Sequence, residues 1–289
     1  MLRLCIRSLT LLLALSLFTF LLSEWSPGDF LSGLEASPEY SQSTAAVARQ
    51  RLALDRPVGE RYLSWLHSAI TGDFGISHAY SMPASELIRP RLWNTFRLNL
   101  TATTAAWIMA FWLGSWAAAR RGGRLDAGLR QIFALLLGLP EILLALFGLW
   151  LFGSSPLLPY AVLALGALPT LAIHIRYSVG GALEHDAVRA ARAYRITGVR
   201  LWWSYVFPLA APPLISLAGI SFGALFSASL LVEAALGYPG LGSLVLDSIQ
   251  TRDTAVVAAA VALSGILLMA ANLSADLARR ALDPKLRSR

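Results

Sequence analysis

The chain has 289 residues, 56% of them hydrophobic and 14% charged. An ordinary soluble domain carries roughly 25% charged residues, so this composition excludes a mainly soluble protein. The formal net charge of +7 raises a nucleic-acid partner, but in so apolar a chain the basic residues are tested first against membrane topology.

Arg3 and Arg7 precede a first apolar run over 8–22. The residues that follow are Ser23, Glu24, Trp25, Ser26, Pro27, Gly28 and Asp29, which offer no small-residue cleavage site, so 1–25 reads as an uncleaved first transmembrane helix. Cys5, the only cysteine, excludes an intramolecular disulfide framework and a cysteine-cluster metal site and reads as an inert packing residue. Residues 26–93 are polar and punctuated by Pro and Gly, with short amphipathic helices predicted around 42–54 and 60–70; they form an extracytoplasmic segment. Residues 94–289 form a core of five further spans, near 95–119, 131–152, 158–177, 209–232 and 256–277, each about the 20 apolar residues a bilayer crossing needs. The fold class expected is therefore all-α, a polytopic membrane protein with six transmembrane helices. Trp93, Trp107, Trp112, Trp116, Trp150, Tyr160 and Tyr177 include several residues near span ends, where aromatic side chains anchor at the interface or simply pack. No internal repeat supports an inverted-repeat carrier.

The basic residues sort by side. Arg3 and Arg7, then Arg120, Arg121, Arg124 and Arg130, then Arg176, Arg189, Arg192, Arg195 and Arg200, then Arg279, Arg280, Lys285, Arg287 and Arg289 all fall on one face, whereas the short opposite connections hold only Arg252. By the positive-inside rule both termini are expected in the cytoplasm. No nucleic-acid partner is then needed to account for the charge; the partner is the lipid bilayer.

Catalytic chemistry is thin. A P-loop needs a lysine within a Gly-rich turn, and the only lysine is Lys285 in the tail. His67, His78, His174 and His185 include no pair at helical ligand spacing, and no nucleophile elbow is present. We therefore expect no catalytic residues, no metal site and no cofactor; any ATP that drives this protein is hydrolysed on another chain.

The connection over 181–208 is the most informative stretch. Glu184 and Asp186 lie where a helix would begin, suiting the positive end of its dipole, and Asp186 stands three residues before Arg189. Ala187, Ala190 and Ala191 fall on or near one face, with Arg192 and Arg195 turned elsewhere; Gly198 interrupts, and Pro208, Pro212 and Pro213 mark re-entry into the membrane. A small-residue face on a short cytoplasmic helix can be gripped by another protein; the alternative is a solvated basic loop that only fixes topology.

This segment resembles the coupling loop of ABC-importer permeases, above all the dipeptide, oligopeptide and nickel branch, in which an Asp-x-Val-Arg-x-Ala-Arg-Ala pattern recurs. Asp186, Val188, Arg189, Ala191, Arg192 and Ala193 match it, while Arg195 stands where the family has a glycine. The resemblance covers nearly the whole chain. It includes Pro27, Gly28 and Asp29; Asp55, Arg56, Pro57, Tyr62 and Trp65; the turn Gly72, Asp73, Phe74 and Gly75; and Asn94 and Thr95. Towards the end it includes Glu233, Tyr238, Pro239, Gly240, Leu241, Gly242, Asp247, Arg252 and Asp253 of an outer-mouth loop, and Asp276, Leu282, Asp283 and Pro284 of the tail. The connection near 153–157 is shorter than in typical relatives, which bears on where a binding protein docks.

The resemblance implies a type I ABC-importer permease fold in a bacterial inner membrane. The partners it implies are a second permease subunit, usually a paralogue, two ABC ATPase subunits and an extracytoplasmic solute-binding protein. The coupling loop would be 179–207, with Glu184, Asp186, Val188, Arg189, Ala190, Ala191, Arg192, Ala193 and Gly198 as its contact residues. The cargo would be peptides or a related small solute such as nickel chelates. Glu141, just after Pro140, falls near mid-membrane, where an ionisable group is costly unless it faces a cavity or a partner. It is expected either to line the path and favour cationic substrates or to be a structural carboxyl at a helix kink. The rival to the importer is a self-sufficient secondary carrier or channel, for which Glu141 is the one strong ion-coupling candidate; a membrane-embedded enzyme would need clustered His, Asp or Glu.

Overall fold

The computed structural model describes residues 2–25, 56–77 and 79–282. Along the chain these form α1 (Leu2–Trp25), α2 (Val58–Ile70), a hairpin of β1 (Ile76–Ser77) and β2 (Met82–Pro83), α3 (Ala84–Ala119), α4 (Arg124–Leu137), α5 (Glu141–Phe152) and α6 (Leu158–Glu184). Then follow α7 (Asp186–Ala193), α8 (Gly198–Leu201), a π-helical turn over Trp202–Val206, α9 (Phe207–Leu236), α10 (Leu241–Gln250) and α11 (Thr254–Leu282). Pro27, Gly28, Asp29, the helix expected over 42–54, Asp55, His78, Asp283, Pro284 and Lys285 lie outside the described residues, as do the side chains of Arg3, Cys5, Arg7, Asp276, Arg279 and Arg280.

Among the described residues, Leu158–Glu184 and Gly198–Leu236 are each long and apolar enough to cross a membrane. The stretch read as a single span over 131–152 is instead two helices, Arg124–Leu137 and Glu141–Phe152, bent by 97°. The cause is local: Pro140 has no N–H to donate and biases the residue before it away from helix, so α4 ends at Gly138, whose N–H turns back to the carbonyls of Ala134 and Leu135. Shorter apolar helical stretches cover Leu9–Leu22 and Thr254–Ala270. The helix that carries the second expected span, α3, begins at Ala84, earlier than the apolar run from 95, because its first turns carry Glu86, Arg89, Pro90 and Arg91 and are helical without being apolar.

The chain divides into two compact units. The first comprises 1–94 and 239–269. In it α1 meets α2 through Ser16 and Tyr62, whose hydroxyls lie 2.9 Å apart, and through an edge-on contact of the Phe20 and Tyr62 rings. The Gly72, Asp73, Phe74, Gly75 turn works through its two glycines, at φ +86° and +88°, and through the Asp73 carboxylate, which accepts the Gly75 N–H at 2.9 Å. The hairpin that follows pairs Ile76 with Pro83 and Ser77 with Met82. Asp253, fully buried, accepts from the Ser77 hydroxyl at 2.5 Å and the Ala79 N–H at 3.3 Å, and its other oxygen caps α11 at Val256 N–H. A buried carboxylate is held by what donates to it, and these donors tie the hairpin to the start of α11.

The second unit comprises 95–238 and 270–289. Helix packing inside a bilayer gains nothing from expelling lipid and relies on close approach of small residues. α3 accordingly buries Ala102, Ala106, Ala110, Gly114 and Ala117 along one stripe. Buried polar bonds fix its register against α9: Asn99 Nδ2 donates to Ser229 Oγ at 2.8 Å, and Trp107 Nε1 donates to Ser221 Oγ at 3.0 Å. Trp107 is thus an inward packing residue, whereas Trp112, Trp150 and Tyr177 are exposed.

Candidate functional site

The connection between α6 and α9 folds around a short helix. Glu184 does not begin that helix but is the last residue of α6, where its carboxylate meets Arg121 at 2.7 Å. His185 is the cap of α7, its Nδ1 accepting the Ala187 N–H at 3.2 Å. Asp186 opens α7 and reaches Arg189 at 3.5 Å, as the spacing predicts; both are largely exposed, so the pair contributes little.

The helix has two faces. Val188 and Ala191 are buried in the same core cluster as Ala182, Val206 and Ala210, whereas Ala187, Arg189, Ala190, Arg192 and Ala193 are exposed. Ala191 therefore belongs to the inward anchor rather than to the outer small-residue face. Tyr194, beside that face, is 83% exposed.

Arg195 resolves the missing glycine. Its φ is +58°, and Ile196 N–H bonds to the Ala191 carbonyl while Arg195 N–H bonds to that of Arg192. These two bonds make a Schellman cap, whose left-handed position glycine fills most easily. Arg252 occupies the equivalent position after α10 at φ +55°. Gly198, at φ +65°, then opens α8, and α8, the π-turn and α9 run on as one stretch to Leu236.

Glu141 starts α5 at the break and lines a pocket of about 180 Å³ with Leu163, Gly166, Thr170, Leu217, Ser221 and Ala228 among its walls. Gly166 makes the room: a Cβ there would stand 2.9 Å from Glu141 Cγ. The cavity is apolar apart from one carboxylate and two hydroxyls.

The outer-mouth residues divide between the units. In the second, Glu233 is buried in the last turn of α9, and its carbonyl accepts the N–H of Tyr238 across left-handed Gly237. The Tyr238 hydroxyl meets that of Tyr160 at 3.1 Å, and burial followed by this hydrogen bond pushes the Tyr238 phenol up from its ordinary range. In the first unit, Pro239 accepts from Asn94 Nδ2 at 2.8 Å, and Leu241 and Gly242 are buried at the start of α10.

One pair escaped the sequence reading. Asp126 is fully buried and bound by Arg176, Nε to Oδ1 at 2.5 Å and Nη2 to Oδ2 at 2.8 Å, with Gly122 N–H donating at 3.0 Å. Arg176 is therefore a buried partner of Asp126. Its spacing of 50 residues from Asp126 left no local signal.

The chain is 29% identical to a peptide permease protein of Brucella suis biovar 1 over 99% of both chains. It is 28% identical to the oligopeptide transport system permease protein AppB of Bacillus subtilis over 96% of both. It is also 28% identical to the glutathione transport system permease protein GsiC of Escherichia coli K12, over 96% of this chain and 94% of that one. Among solved structures, an inward-facing MetNI methionine ABC transporter chain superimposes with a TM-score of 0.58 at 21% identity, covering 68% of this chain and 96% of that chain, a likeness of fold. Residues 110–288 match the family described as binding-protein-dependent transport system inner membrane component, and with more than half the chain inside that match the protein belongs to this family.

Proposed function

We propose that this chain is half of the membrane path of an ATP-driven importer for peptides or a related small solute. It crosses the bacterial inner membrane six times with both termini in the cytoplasm. A second permease subunit completes the path, two ABC ATPase subunits bind beneath and hydrolyse the ATP, and an extracytoplasmic binding protein delivers the solute. The peptide assignment is supported by the printed names of the relatives. The segment 26–93 and the loop near 238–242 lie on the delivery side, and 179–207 is the coupling loop.

The observation that carries this reading is the two-faced helix α7. Its outer face is small and accessible, and its inner residues Val188 and Ala191 are locked among residues of α6 and α9. Close-packed contacts transmit displacement instead of absorbing it, so an ATPase gripping Ala187, Ala190 and Ala193 would move both long helices as a body. The Glu141 pocket lies where α5, α6 and α9 meet and offers a carboxyl group to a passing solute. A self-sufficient carrier has no use for such a handle.

The test is ATP-dependent uptake by the assembled transporter in proteoliposomes. Ala190→Glu places a charge on the gripping face and is expected to abolish retention of the ATPase in detergent while the permease stays folded. Retained ATPase and unchanged uptake would refute the coupling role, and uptake by this chain alone without ATP would favour the carrier.

A further inference from the structure

The face of α6 that lines the Glu141 pocket does not stop at the pocket. Leu163, Gly166 and Thr170 stand in its wall, and the same helical spacing carries on through His174, Tyr177 and Gly181. Thr170, His174, Tyr177 and Gly181 are all exposed, whereas Ala172, Ile175, Arg176 and Val179, turned the other way, are buried. The exposed residues of α5 have the character of a surface covered by lipid: Ile142, Leu143, Leu146, Phe147 and Trp150 are all large and apolar. The α6 strip holds no large aliphatic side chain below Thr170 and presents an imidazole, a phenol and a glycine instead. Polar and ionisable groups at membrane depth face a cavity or a partner in preference to lipid.

α9 stands across this strip. Its residues Leu217, Ile220 and Ser221 line the pocket, and farther along the Ser178 hydroxyl donates to the Ala210 carbonyl at 2.8 Å, joining α6 to α9 below it. His174 lies between these levels, one turn past Thr170 and one turn before Ser178. Its ring is oriented by the pocket wall itself, because Nδ1 is 2.8 Å from the carbonyl oxygen of Thr170. A carbonyl only accepts, so Nδ1 carries the hydrogen, and in the neutral ring Nε2 keeps its lone pair. Among the described residues the ring has no other hydrogen bond or ion pair.

We propose that His174 is a solute-binding residue of the path, between the Glu141 pocket and the cytoplasmic end, where Nε2 accepts a hydrogen bond from an N–H of the peptide. The inference rests on the peptide-importer reading above. A peptide backbone carries one N–H donor at each residue other than proline, so an oriented acceptor suits it whatever its side chains. Glu141 stands level with Gly166, on which its Cγ closes, and Gly166 precedes His174 by about 12 Å of helix rise. At roughly 3.3–3.6 Å per extended residue, a peptide of about three or four residues held at Glu141 by its ammonium reaches His174 with a later amide N–H.

The experiment uses the complete transporter in inverted membrane vesicles, with Cys5→Ser as the background, a membrane-impermeant maleimide as reagent and trialanine as probe. Labelling is read on this chain after the subunits are separated. His174→Cys is expected to be modified, and trialanine to slow the reaction. Leu165→Cys, an exposed position on the opposite side of α6, is expected to stay unmodified. With Tyr177→Cys as reporter, the trialanine concentration that halves labelling should rise about three- to tenfold with His174→Leu, the factor one hydrogen bond supports. It should fall back in part with His174→Gln, which returns an acceptor oxygen. A thiol at position 174 that reacts no faster than one at 165 puts the strip against lipid or another chain and overturns the site. Labelling at 174 that trialanine leaves unchanged, or a half-protecting concentration that His174→Leu does not move, overturns it as well. Any of these results together with ATP-dependent trialanine uptake in proteoliposomes leaves the importer reading intact; no uptake with ATP and the binding protein overturns both.

Discussion

Replacing Arg176 by Met leaves the Asp126 carboxylate in place with both of its short guanidinium bonds gone. What remains is the Gly122 N–H at 3.0 Å and Arg130 at 3.9 Å, the latter more than half exposed. Breaking a buried pair by removing one partner costs about 3–5 kcal/mol, because the surviving charge stays buried without compensation. The remaining donor and the partial charge of Arg130 place this case near the lower end, about 3 kcal/mol, more than a hundredfold in the folded-to-unfolded ratio. Denaturant titration of the full-length chain in detergent reads the loss directly. Asp126→Leu combined with Arg176→Met removes both charges, so the double variant is expected to recover most of what either single change loses. A single-variant loss below about 1 kcal/mol, or a double variant whose loss equals the sum of the singles, would refute the view that this pair staples α4 to α6.

Three further outcomes follow from backbone geometry. Arg195→Gly is expected to raise the denaturation midpoint, by about 1 kcal/mol of stability at most, since it relieves a left-handed residue at the end of α7; a lowered midpoint would contradict the cap. Gly114→Ala puts a Cβ 2.7 Å from the Ala172 carbonyl oxygen, and with backbone on both sides nothing yields cheaply, so a loss of about 1–3 kcal/mol is expected in the same titration. Gly166→Ala presses instead on the flexible Glu141 side chain; stability should hold while uptake of cationic relative to neutral peptides shifts, as it should with Glu141→Gln. Unchanged selectivity in both variants would remove Glu141 from the path.

What could be seen in the sequence was whatever has a short-range signature. The apolar runs, the α7 pattern from Asp186 to Ala193 and the Gly-Asp-Phe-Gly turn all carry their cause within a few residues, and helices or turns stand at those places. Glu184 was misplaced because dipole logic favours an acid at a helix start, whereas here His185 supplies the cap and Glu184 closes the preceding helix. The break before Pro140 was visible as a residue but not as a 97° bend, since apolar content continues across it. Ala191 looked like Ala190 in composition; only the packing of α7 against Val206 and Ala210 separates them. The Asp126–Arg176 pair joins residues far apart in the chain. An arginine inside an apolar run was its one available sign, and charge counting for topology absorbed it.

The most direct test of the account is the side of the membrane on which α7 stands. With Cys5 replaced by Ser, Ala190→Cys carries the sole thiol of the chain. A membrane-impermeant maleimide should modify it in inverted membrane vesicles, and prior assembly with the ATPase should block the reaction. Modification from the outside of intact spheroplasts would put the handle beyond any nucleotide-driven motor and contradict the coupling mechanism.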